Sequence, residues 1–197
     1  MTTRRRFIEG AMASGLIVAA VPRAATALVR GTEGAATLGL ERVVYDERFE
    51  PARAFAQEAR RRSVATSAIK GSVHDLWYGD LYHRWSDAKR PIAGMTDHRA
   101  LLLLEMMAAD AGMRVVHRVH HFQAGGAHAP AIFGPTAQRA ELINRLSAAD
   151  TGWPVAVAGI VTGWPTAPTP VSPGRSDILA ARSQALDSGT LVSWLIR

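Results

Sequence analysis

From residue 41 onward the chain alternates between two hydrophobic periods, and this alternation constrains the fold more than any other feature. Glu41-Arg42-Val43-Val44-Tyr45-Asp46 has the short β-branched pattern of a strand. Pro51 then opens a helix in which Ala52, Phe55, Ala56 and Ala59 recur at helical spacing. Val64 to Ile69 is a second strand ending at Lys70-Gly71-Ser72, and His74-Asp75-Leu76-Trp77-Tyr78 reads as loop and short helix. Arg90 to Thr96 reads as a third strand and turn, with Thr96 as the cap of a helix from Asp97 to Ala111. Leu101 to Leu104 with Met106, Met107, Ala108 and Ala109 make that helix apolar nearly all round, which predicts a central, buried position. Gly112 suits a left-handed helix end, and Met113 to Val119 continues as a fourth strand. Pro135 starts a helix through Leu146. Two Gly-Trp-Pro triplets, at 152–154 and 163–165, read as turns around a fifth strand, Val155 to Val161. Pro165 to Pro173 is a Pro-rich loop, Ser176 to Leu186 a short helix, and Thr190 to Ile196 the final strand. The expected architecture is a single α/β domain over 41–197, three-layered, with a mostly parallel sheet of about five or six strands.

Residues 28 to 40 are rich in Gly, Thr and Ala, lack periodicity, and read as a flexible lead-in. Before them, Thr3-Arg4-Arg5-Arg6-Phe7-Ile8-Glu9 precedes a weakly apolar stretch from Ala11 to Val21, about 11 residues against the ~20 a spanning helix needs. Arg23 follows that stretch, and Ala25-Thr26-Ala27 has the small-x-small form of a cleavage site. The segment 1–27 resembles a bacterial twin-arginine (Tat) signal peptide, with Arg4, Arg5 and Phe7 in the motif positions and Glu9 where a lysine is usual. The resemblance implies recognition by the Tat translocase, export in the folded state, cleavage after Ala27 and a periplasmic mature protein without a stable membrane anchor. It implies an address and no activity.

Composition narrows the chemistry. The formal charge of +6 includes four arginines and one glutamate from the signal segment, which leaves +3 for the remainder. No basic run with interleaved aromatics appears, and Arg60-Arg61-Arg62 falls at a helix end where cations complement the dipole, so nucleic acid is not an expected partner. The absence of cysteine excludes disulfides, thiolate metal sites and iron–sulfur clusters, so His and carboxylates would have to hold any metal.

In open α/β sheets ligands bind beyond the strand carboxyl ends, at the point where strand order reverses. That rule selects Asp46, Glu47 and Arg48 after the first strand, Ser72, His74 and Asp75 after the second, and Gly94, Thr96, Asp97 and His98 after the third. With the second and third strands flanking the first, the crevice falls between Asp46 and Gly94-Met95-Thr96. The latter triplet either holds an anion on free helix-start amides or is an ordinary cap. Neither a Gly-x-Gly-x-x-Gly nor a Gly-Lys-Thr/Ser loop is present, so nucleotide chemistry has no support. Of the seven histidines, His117 and His121 share a strand face with Val119 while His120 points to the other. A metal on His121, His128 and a carboxylate lacks a defining spacing, and surface histidines near a sheet end are the plainer reading. Ser72, His74 and Asp75 lack the Gly-x-Ser-x-Gly elbow of a serine hydrolase. Trp77, Tyr78, Tyr82 and Trp85 either line an apolar cleft or fill core. The expectation is a soluble periplasmic protein binding a small ligand or partner protein at the strand carboxyl ends. The alternatives are a hydrolase or metal-dependent enzyme using His74, Asp75, His98 and His121, and an accessory subunit of an exported redox enzyme.

Overall fold

The computed structural model describes residues 37–124, 127–133, 136–166 and 190–197. The Tat-like segment, most of the lead-in, and the loop and helix expected within 167–189 lie outside the described residues. The protein is an α/β fold with six strands among the described residues: β1 (Arg42–Asp46), β2 (Ala65–Ile69), β3 (Ile92–Asp97), β4 (Val115–Ala124), β5 (Ala127–Phe133) and β6 (Leu191–Ile196). They form one sheet in the order β2-β1-β3-β6-β4-β5. The sheet is mixed, which corrects the expectation of a mostly parallel one. β1 pairs in parallel with β2 and β3, but β6 is antiparallel to both β3 and β4, and β5 is antiparallel to β4. Periodicity reports that a segment is a strand and not which way it runs.

Helix α1 (Glu50–Arg61) forms where the sequence places it and buries Ala52, Phe55, Ala56 and Ala59. Between β2 and β3 the chain is more helical than expected. A short α2 (His74–Leu76) passes through a π-helical turn, Trp77–Leu81, into α3 (Tyr82–Asp87), burying Leu81 and Trp85. Helix α4 (His98–Asp110) is capped by Asp97, whose Oδ1 accepts from the Ala100 amide at 2.8 Å, and not by Thr96, which is the penultimate residue of β3. Although apolar nearly all round, α4 leaves Leu102, Leu103 and Met106 exposed at 44%, 44% and 61%, so it packs by one face only.

Helix α5 (Thr136–Ala148) is as expected, but Val155 to Val161 is not a strand. It belongs to α6 (Trp153–Thr162), which follows a 3-10 turn at Asp150–Gly152. Pro154 sits in the first turn, the one place where a helix tolerates proline, and the buried Trp153, Val157, Ala158, Ile160 and Val161 recur at helical spacing. A short apolar run between turn signals fits a buried helix as well as a strand.

Alternate strand residues enter two core clusters. Val43, Tyr45, Ala93, Met95, Leu191 and Leu195 join buried residues of α1 and α6. Val44, Ile92, Val192, Trp194 and Ile196 join those of α3 and α4. The end of the stretch read as lead-in is attached to the first cluster: Leu38 and Leu40 pack on it, and the Leu38 amide donates to the Trp164 carbonyl at 2.7 Å.

Gly94 lies in the middle of β3, between β1 and β6. A Cβ there would stand 2.6 Å from the Val44 carbonyl oxygen and closer still to the Trp194 ring. The glycine is what lets the Trp194 ring approach β3 this closely. Gly94→Ala should destabilise the protein by about 3 kcal/mol, the upper part of the overpacking range; urea unfolding of the two proteins measures it, and an unchanged midpoint would contradict this packing.

Candidate functional site

With β2 and β3 on either side of β1, strand order reverses at the β1/β3 boundary as the sequence rule requires. The crevice there is filled by the protein's own charges. Asp46 is fully buried, and the Arg48 guanidinium reaches it from the following turn: Nε donates to Oδ1 at 2.9 Å and Nη2 to Oδ2 at 2.6 Å. The same Nη2 donates to Asp97 Oδ2 at 2.8 Å, so one side chain ties the ends of β1 and β3 together. Gly71, with φ of 81°, brings the chain after β2 so close that a Cβ would collide with this guanidinium. Hydrogen bonding to Asp46 is the main influence on Arg48 and holds its charge more firmly than usual. Asp46 and Arg48, candidates for binding a ligand, are instead a clamp whose donors and acceptors serve one another.

The other sequence-selected residues here do not assemble into a site. Ser72 Oγ accepts from the His74 amide at 3.2 Å, the His74 ring tilts against Tyr78, and Asp75 is exposed. The anion cradle considered at Gly94-Met95-Thr96 is absent because these residues are paired with β6 inside the sheet. Thr96 Oγ1 is engaged, donating to the Asp97 carbonyl at 3.0 Å and accepting from Trp194 Nε1 at 3.1 Å.

The chemistry lies further along the same edge. A β-bulge between Val115 and His117 shifts the register of β4 against β6. An extra residue reverses side-chain parity, so Val116 and Val119, an odd number apart, both enter the α1/α6 core. His117 and His121 follow Val119 onto that face, where His117 packs on Trp164 and His121 on Trp153. His120 points to the opposite face beside His98, with ring centroids 5.7 Å apart, and next to it Arg118 pairs with Glu105. The division of histidines between faces is as read from the sequence.

On the α6 side three residues form a line. Ser193 Oγ, fully buried on β6, is 2.8 Å from His121 Nε2, and His121 Nδ1 is 2.9 Å from His128 Nε2. The two imidazoles stack on Trp153 at 4.2 and 4.3 Å, yet their own centroids are only 5.2 Å apart. Rings on opposite faces of the indole would stand about twice the stacking distance apart, so both lie on one face, nearly coplanar and joined edge to edge. Burial lowers the pKa of both, well below the ordinary value for His121, and each charge would oppose the other, so the line is neutral at pH 7. One atom has no partner: His128 Nδ1 is buried and makes no hydrogen bond. Such an atom costs about 1–3 kcal/mol when left unpaired.

His128 and Trp153 line a cleft of about 250 Å³ together with Glu50, Pro51, Ala54 and Asp150. The walls come from the start of α1, just past the end of β1, from β5, and from the turn before α6. Asp150 has a φ of 44°, a left-handed conformation uncommon for a residue other than glycine. A second cleft, about 330 Å³, is lined by Trp77, Tyr82, Trp85, Lys89, Met107 and Asp110. The aromatic cluster therefore does line an opening, with Tyr78 turned to His74. No three His, Asp or Glu side chains among the described residues are placed to hold a metal ion.

Sequence reasoning reached His121 but missed Ser193 and the importance of Trp153. Ser193 lies 72 residues from His121, and only the antiparallel insertion of β6 brings them together. No protein-family model, curated protein or solved structure matches this chain.

The buried histidines set a pH dependence. Burial lowers His117 and His120 to about 4, the latter helped by the charges of His98 and Arg118. An unfolded histidine titrates near ~6.5, so between these values the unfolded chain binds protons that the native one excludes. Stability contributed by each histidine is complete above ~6.5 and is lost as pH falls toward 4, by on the order of 3 kcal/mol per residue. Urea midpoints measured from pH 7 to pH 4 should fall steadily, and His117→Phe should make that fall shallower; equal slopes would show that His117 titrates freely in the native state.

Proposed function

We propose that this protein is exported by the Tat route and works in the periplasm as a soluble binding protein, taking a small ligand at the carboxyl end of its sheet. The ligand position is the cleft between Glu50, His128, Asp150 and Trp153, and the observation that carries it is the Ser193–His121–His128 line, whose last ring forms part of the cleft wall. The two clusters of buried side chains, one shared with α1 and α6 and the other with α3 and α4, support reading the sheet as the middle of three layers. The segment 1–27 supports the address. A second reading, docking to a partner protein, is favoured by the exposed Leu102, Leu103 and Met106 on α4.

Two measurements test the proposal. Arg4→Lys with Arg5→Lys should hold the precursor in the cytoplasm, and fractionation that finds normal export would remove the address. Native mass spectrometry of mature protein taken from the periplasm should show an added small-molecule mass, lost in Ala54→Trp, which fills the cleft. An added mass that survives in Ala54→Trp places the ligand elsewhere, and a stable heteromer in place of the small mass selects the docking reading.

A further inference from the structure

The solvent side of α4 carries a charge pattern of its own. Its exposed residues are Arg99, Leu102, Leu103, Met106, Ala109 and Asp110, which recur at helical spacing and so make one stripe. Large apolar side chains occupy the middle of the stripe, and contiguous exposed apolar surface of this kind marks an interaction site. Arg99 opens the stripe and Asp110 closes it. They stand on one face because the interval between them is about three turns, some ~16 Å along the axis.

Both charges sit at the wrong end of their own helix. Arg99 is in the first turn, beside the positive end of the helix dipole, and Asp110 is in the last, beside the negative end. Among the described residues neither enters an ion pair, whereas the other acid of the helix, Glu105, is held by Arg118. A second helix running antiparallel relieves both ends, because its C-terminus comes beside Arg99 and its N-terminus beside Asp110. If that helix is another α4, it also brings an aspartate to Arg99 and an arginine to Asp110. Such a pairing has two-fold symmetry, so every contact is made twice. Matching the end charges in this way sets Leu103 of each copy against Met106 of the other. We infer that α4 is a self-complementary interface through which two copies of this chain pair antiparallel, with Leu102, Leu103 and Met106 at its centre and Arg99 of each copy against Asp110 of the other. The pairing rests on the docking reading of α4 and names its occupant; the ligand cleft contributes no residue to it. One helix face is a small interface, so the dimer is reversible.

Sedimentation equilibrium of the full chain at rising concentration should show a monomer–dimer equilibrium. Arg99→Asp and Asp110→Arg each replace two attractive contacts with two repulsive ones, and each should weaken dimerisation by about tenfold or more. Both substitutions suit the dipole of their own helix better than the native residues do, so neither should lower the urea midpoint. An equimolar mixture of the two variants should dimerise again, because each supplies the charges that the other lacks, and Met106→Glu should remain monomeric. A dimer indifferent to these substitutions, or one that does not return in the mixture, would overturn the antiparallel pairing through α4. A monomer at every concentration would overturn the second copy as occupant. Native mass spectrometry of a periplasmic extract then decides the reading beneath it: a heteromer lost in Met106→Glu keeps docking at α4 with a different partner, and its absence removes docking as well.

Discussion

Strand β6 holds the fold together. All six of its residues are buried, and it is hydrogen-bonded on both sides, to β3 and to β4. One half of the sheet, β2-β1-β3, carries the Arg48 clamp; the other, β4-β5, carries the paired histidines. In the sheet the described strands of the two halves are hydrogen-bonded to each other only through this strand. Its side chains divide cleanly: Val192, Trp194 and Ile196 supply the core against α3 and α4, and Leu191 and Leu195 the core against α1 and α6. The Trp194 ring lies over Gly94 and donates to Thr96, which fixes the register of β6 against β3 with a hydrogen bond deep in the sheet.

The two ends of the carboxyl edge are put to different uses. At the β1/β3 crevice, where an α/β sheet conventionally receives its ligand, Asp46, Arg48 and Asp97 consume the available hydrogen bonds. A buried carboxylate needs a counter-charge, and Arg48 supplies it from a turn that also bridges two strands. The opening lies instead beside β5 and α6, where a neutral pair of imidazoles meets the carboxylates of Glu50 and Asp150. Neutrality of the imidazoles follows from burial first, and from the cost of making both rings imidazolium at hydrogen-bond distance.

Much of the first half of the chain is legible in the sequence because its signals are local. Pro51 with the Ala52–Ala59 repeat, Gly112 at a left-handed helix end, and the β-branched runs of β1 and β2 each specify their own geometry. Legibility fails where meaning depends on distant partners. Gly94 looks like a turn residue until Trp194 is laid across it. Val155 to Val161 looks like a strand because Pro154 resembles a terminator, whereas in a first helical turn it is a starter. The candidate site shows the same division. His121 stands out as one of several histidines, but its value comes from Ser193 across the sheet and from a bulge that no periodicity reveals. Asp46 and Arg48 are selected by the strand-end rule as ligand-binding candidates, yet the rule is silent on whether a crevice is open or already filled.

The central place of β6 also bears on how the molecule comes to be made. It follows every other described strand in the chain, so during synthesis β1, β2 and β3 emerge together, then β4 and β5, and the piece that joins them comes afterwards. Until it does, β3 and β4 each present an unpaired inner edge, the kind of surface that recruits foreign strands. Closure requires contacts between residues far apart in sequence, which is entropically slow to achieve. The sheet is therefore completed by inserting a keystone into a gap rather than by adding a row to an edge, and a nascent chain stalled before β6 has two half-sheets with no strand to join them.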